Sequence, residues 1–144
     1  MESMSKIEAV LFDLDGTLLD SFPDFLASLE NINIKSSSKK IDESIVRANV
    51  SDGSSKLLKL VFDIDTDDEG FDEHKRNFLN EYEKNILMYG NLFHGVSDLL
   101  NFLLDEKIPY GIVTNKPRKY TEIILKKSSL LRPVSYTHLR AHET

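Results

Sequence analysis

Asp13 and Asp15 are the residues best suited to chemistry: two carboxylates at i and i+2, directly after the apolar run Val10-Leu11-Phe12 and before Gly16 and Thr17. Alternate residues of a strand point to one face, so the two acids would lie together if the chain stayed extended. Such a pair can hold a hard cation such as Mg²⁺, which takes oxygen ligands and keeps waters that a phosphate can replace. Gly16 permits a sharp turn straight after them. The plainer alternative is a turn with no chemistry, because Asp and Gly are common turn residues.

A second run has the same character. Pro109 to Val113 reads as a short strand, followed by Thr114-Asn115-Lys116-Pro117. Pro117 suits the first position of a helix, where its missing N–H costs nothing, and Tyr120, Ile123 and Ile124 continue that helix. In doubly wound sheets, ligand groups gather at the carboxyl ends of strands. If the two strands are parallel, Asp13 and Thr114 meet in space. Thr114 and Asn115 could equally be nothing more than a helix cap.

These acids and hydroxyls need elements to position them. Ile7 to Phe12 is apolar and rich in branched residues, as in a strand buried on both faces of a parallel sheet. From Pro23 to about Tyr89 the pattern turns helical. Phe25, Leu26 and Leu29 form one stripe; Ile41, Ile45 and Val46 a second; Leu57, Leu58, Val61 and Phe62 a third. Phe71, Phe78, Leu79, Tyr82 and Ile86 form a fourth over a longer segment. Breaks fall at Ser36-Ser37-Ser38, Ser51-Asp52-Gly53 and Asp63 to Asp68, so the segment reads as a four-helix insert. Val96, Leu99, Leu100 and Leu103 line a further helix ending near Lys107.

Composition limits the alternatives. The 144 residues suffice for one ordinary domain or two small ones. Without cysteine there is no disulfide framework and no thiolate metal site. A net charge of −6 argues against broad nucleic-acid binding and requires locally placed cations for any anionic substrate. No stretch is apolar enough to span a membrane and no leader pattern is present, so a cytoplasmic location is expected.

Asp13-Leu14-Asp15-Gly16-Thr17 together with Gly111-Ile112-Val113-Thr114-Asn115-Lys116 resembles the first two motifs of the haloacid dehalogenase superfamily. The likeness runs from about residue 6 to residue 132. Asp20-Ser21, Phe93-His94-Gly95-Val96 and Val113 to Pro117 look most like its phosphoglycolate phosphatases. The resemblance implies an α/β fold: a Rossmann-like, doubly wound parallel core (1–21 and 90–132, incomplete here) with an inserted four-helix cap (22–89). It implies Asp13 as nucleophile, Asp15 as acid–base, and Mg²⁺ held by the Asp13 carboxylate and the Asp15 backbone carbonyl. Thr114, Asn115 and Lys116 would bind the phosphoryl oxygens. Because the family carries its phosphate-binding cation in a later motif, Lys116 is either a helper in the site or a solvated surface charge. Arg47 with Ser51-Asp52-Gly53 either touches substrate from the cap or is an interhelical turn. His74 and His94 read as surface residues, and Asp63 to Asp68 as a solvated linker.

The implied function is Mg²⁺-dependent hydrolysis of a small phosphomonoester, phosphoglycolate-like, through an aspartyl-phosphate. A sugar-phosphate phosphatase (acting on N-acetylmuramic acid 6-phosphate, for example) and a β-phosphoglucomutase-like mutase are the enzymatic alternatives. A non-catalytic binding module on the same fold is the alternative outside enzymology. Residues 133–144 resemble a reading-frame translation of a sequencing adaptor. On that reading nothing after Arg132 continues the fold, His138 and His142 are not ligands, only two core strands remain, and the chain is an N-terminal fragment inactive alone.

Overall fold

A computed structural model describes residues 6–36, 40–128, 131 and 135–138. The chain divides into two compact units, Met1–Leu18 with Leu92–Thr144, and Leu19–Asn91.

The first unit is built on a parallel sheet of three strands in the order β1 (Val10–Phe12), β4 (Tyr110–Thr114), β5 (Ser135–His138). Residues Val10, Leu11 and Phe12 lie opposite Tyr110, Gly111 and Ile112, and Thr114 lies opposite His138. Helix α5 (Val96–Asp105) precedes β4 and α6 (Arg118–Lys127) follows it. Helix α5 ends at its C-cap Glu106, one residue before the expected Lys107. Pro117 is the N-cap of α6 rather than its first turn, a shift of one residue.

Two expectations for this unit are corrected. The first strand is not buried on both faces: Leu11 is 70% exposed and Ile7 66%. Among the described residues β1 pairs with β4 and lies at the edge of the sheet, without the second neighbour that a central strand has. The sheet also has three strands rather than two, because Ser135–His138, expected to lie outside the fold, adds to β4. Pairing uses backbone N–H and C=O groups, and Tyr136 and Thr137 favour strands, so no apolar pattern is needed for an edge strand. Arg132, Pro133, Val134 and residues 139–144 fall outside the described residues.

The second unit carries α1 (Phe22–Ser36), α2 (Glu43–Ala48), α3 (Ser54–Phe62) and α4 (Phe71–Asn85). Strands β2 (Leu19–Asp20) and β3 (Asn91–Leu92) pair with each other as a two-stranded sheet. The core of the insert is where the helical stripes place it: Phe25, Leu29, Val46, Leu57, Leu58, Phe78, Tyr82 and Ile86 are buried. Phe25 and Tyr82 stack at 4.5 Å between centroids, with Phe78 6.1 Å from Phe25. Asp42 caps α2, accepting from the Ser44 hydroxyl and N–H, and the Ser44 hydroxyl holds its pKa below 3.8. The break expected at Ser36-Ser37-Ser38 lies largely outside the described residues.

Candidate active site

The register builds the site. With Phe12 opposite Ile112, Asp13 and Thr114 leave neighbouring parallel strands at the same carboxyl edge. Beyond Phe12 the chain does not stay extended. The Leu14 N–H donates to Asp13 Oδ1 at 2.8 Å, and the N–H groups of Thr17 and Leu18 donate to the Leu14 carbonyl. Gly16 turns the chain at φ 79°, a left-handed conformation that favours glycine. The two acids differ in burial: Asp13 is exposed and Asp15 is buried. They share a loop rather than one face of a strand.

Asp15 meets a cation from the second strand end. Lys116 Nζ lies 3.0 Å from Asp15 Oδ2, joining residues 101 positions apart, with side chains 5% and 11% exposed. The reading of Lys116 as a solvated surface charge is therefore overturned. Its backbone is held on both sides: the Lys116 N–H donates to Thr114 Oγ1 at 3.1 Å, and the Thr121 hydroxyl donates to the Lys116 carbonyl at 3.4 Å. Thr114 is buried and Asn115 exposed. Neither caps α6, whose N-cap is Pro117. At the start of β4, burial raises the Tyr110 phenol above its usual 10.0. Its ring meets Phe12 edge-on at 6.2 Å.

Within the insert, Arg47 lies over the Phe22 ring at 4.0 Å and 3.9 Å from Asp20. Ser51-Asp52-Gly53 links α2 and α3, with Asp52 paired to Lys56 at 3.3 Å and Gly53 as N-cap. The acids from Asp63 are used locally, Asp65 pairing with Lys59 at 2.7 Å and raising its pKa. His94 is exposed; His74 is half-buried. Among the described residues no group of three or more His, Cys, Asp or Glu side chains is arranged to hold a metal ion. No helix among them is long and apolar enough to cross a membrane.

Sequence reasoning missed Asp24. This buried acid in the first turn of α1 accepts the N–H groups of Leu87, Tyr89 and Gly90, each at 2.9 Å. Ser28 and Asn85 add a buried hydrogen bond beside it, at 3.1 Å. An acid on an otherwise apolar helical face was the available signal.

Residues 10–138 match the family model described as haloacid dehalogenase-like hydrolase. The chain belongs to that family. It is 32% identical over 125 residues to an N-acetylmuramic acid 6-phosphate phosphatase of Pseudomonas putida, covering 87% of this chain and 56% of the relative. It is 38% identical over 117 residues to a phosphoglycolate phosphatase of Xanthomonas campestris, covering 81% and 52%. The chain thus spans about half the length of the curated relatives it matches. A crystal structure from Haemophilus somnus, titled a predicted phosphoglycolate phosphatase, superposes with a TM-score of 0.79 at 22% identity, covering 99% of this chain and 67% of that one. That likeness bears on the fold: a haloacid dehalogenase-type α/β core, here in part.

Proposed function

We propose that this chain carries part of the active site of a phosphomonoester hydrolase. The observation that carries the reading is the meeting of two strand ends: Asp13 and Asp15 after β1, Thr114 and Lys116 after β4, with Lys116 Nζ 3.0 Å from Asp15 Oδ2. The exposed Asp13 carboxylate is placed to attack phosphorus, forming an aspartyl-phosphate as the ester oxygen departs. Asp15, in its carboxylic acid form, gives that oxygen its proton, and the carboxylate so formed then takes one from the water that hydrolyses the acyl phosphate. Such acid–base help is worth roughly 10²–10⁴-fold. The Thr114 hydroxyl, which accepts the Lys116 N–H, keeps its own proton to donate to a phosphoryl oxygen. Asn115 and Lys116 complete the phosphate contacts.

The donor set fits Mg²⁺. Asp13 would offer a carboxylate, and with the Asp15 carboxylate paired to Lys116, Asp15 would offer its backbone carbonyl. When bound, the ion would neutralise phosphoryl charge, which together with positioning is most of what this chemistry requires. The two relatives favour small phosphorylated metabolites as substrates: phosphoglycolate first, with N-acetylmuramic acid 6-phosphate as the second reading, drawn from the Pseudomonas match.

The test is phosphate release from a panel of both esters and simple sugar phosphates, with and without Mg²⁺. It is run on this chain and on a form carried through to the length of the relatives. We expect turnover only from the longer form, abolished by Asp13→Asn. Turnover that survives Asp13→Asn rules out the nucleophile assignment, and return of the phosphoryl group to a sugar without phosphate release identifies a mutase instead.

A further inference from the structure

The Asp15–Lys116 pair asks more of Lys116 than a phosphate ligand would need. Its ammonium is buried and already engaged by a carboxylate. Its backbone is fixed by Thr114 Oγ1 on one side and the Thr121 hydroxyl on the other. The following Pro117, at φ −53°, stiffens the same loop. With the backbone held, the side chain can change partners only by small rotations about its own bonds. A buried ion pair is weak evidence for stability, since desolvation offsets most of its attraction, but breaking it without a replacement charge is costly. An incoming anion that supplies the replacement makes the exchange feasible.

We propose that Lys116 is a cation shared in time between Asp15 and a phosphate-class anion, so that phosphate binding and release of the Asp15 carboxylate are one event. This rests on the phosphatase reading above and adds an order of events to it. In the empty chain Asp15 is tethered by Lys116. A phosphoryl group arriving at Thr114 competes for the ammonium and frees the Asp15 side chain to turn toward the ester oxygen. The binding energy of the phosphate is thereby coupled to the positioning of the acid–base group. Water, which cannot compete with Asp15 for a buried ammonium, leaves the tether in place.

Inorganic phosphate is the probe, titrated into the 144-residue chain and followed by ³¹P NMR and calorimetry. The proteins are the parent, Lys116→Gln, Asp15→Asn and the double variant. Lys116→Gln is expected to weaken phosphate binding roughly tenfold, as for loss of a charge-assisted hydrogen bond. Asp15→Asn is expected to tighten it roughly fivefold by removing the competitor, and that gain should vanish in the Lys116→Gln background. A gain of the same size in both backgrounds would be a general charge effect and would overturn the handover, as would unchanged affinity in Lys116→Gln. Because variants at a buried pair can fail to fold, the parent alone supplies a second readout. The ¹⁵N resonance of Lys116 Nζ should move on saturation with phosphate, and a fixed resonance overturns the proposal. Phosphate binding that ignores Lys116, or no phosphate binding by the parent, removes this inference alone; the functional reading falls only if the longer form releases no phosphate.

Discussion

The two units of this chain are stabilised in opposite ways. The insert closes on itself: α1 and α4 share an aromatic stack of Phe25, Phe78 and Tyr82, and the deeply buried acid Asp24 is satisfied by three backbone N–H groups. The α/β unit keeps its edges open. Leu11 on β1, Ile7 before it, and Leu99, Phe102 and Leu104 on α5 are exposed, and its buried polar contact is the ion pair between Asp15 and Lys116. The insert spends its buried charge on holding a chain segment in place. The α/β unit places its buried charge at the carboxyl ends of β1 and β4.

The largest expected effect tests this contrast directly. Phe78 is fully buried beside the Phe25 and Tyr82 rings, so Phe78→Ala should cost about 3–5 kcal/mol. Leu11, 70% exposed, should cost about 0.5 kcal/mol or less when changed to Ala. Urea denaturation of both variants checks the difference. Equal losses would mean that β1 is as well packed as the insert, and the contrast would fail.

A smaller effect is expected where the insert closes. A Cβ at Gly90 would sit 2.7 Å from both the Asp20 carbonyl oxygen and Asp24 Oδ2. Neither neighbour gives way cheaply, since one is backbone and the other belongs to a carboxylate that accepts three N–H groups between its two oxygens. Gly90→Ala should therefore cost about 1–3 kcal/mol, while Gly53→Ala meets no atom within 4 Å and is strained only by its φ of 93°. If thermal melting shows Gly90→Ala to be neutral, Asp24 does not hold this segment closely.

The insert was largely legible in the sequence because helices report themselves through local periodicity. Phe78, Tyr82 and Ile86 share a face by spacing alone. Asp24 was not legible, because its partners lie more than sixty positions away and are backbone groups with no sequence signature. In the α/β unit, the motif residues identified both strand ends, yet the role of Lys116 stayed open. Its partner depends on the register of β1 against β4, a non-local fact. Leu11 misled for a related reason: apolar character records what a strand could bury, whereas burial depends on which neighbours are in place. Ser135–His138 shows the converse, a strand with little apolar pattern that joins through its backbone.

The smallest expected effect probes how well the open unit is packed. Tyr110 is 4% exposed, and burial raises its pKa because the ionised phenolate is poorly solvated there. In the unfolded chain the phenol titrates near its usual 10.0, so above that pH the folded chain holds a proton that the unfolded chain has lost. Stability from this group is therefore complete below pH 10.0 and declines as pH rises through the raised native value. The chain holds four other tyrosines, so the useful quantity is the difference between parent and variant. Between pH 9 and 11 the parent should lose more stability than Tyr110→Phe, which has no proton to release. Parallel losses would mean that water reaches the phenol. Strand β4 would then be as open as β1, and only the insert would remain a packed unit.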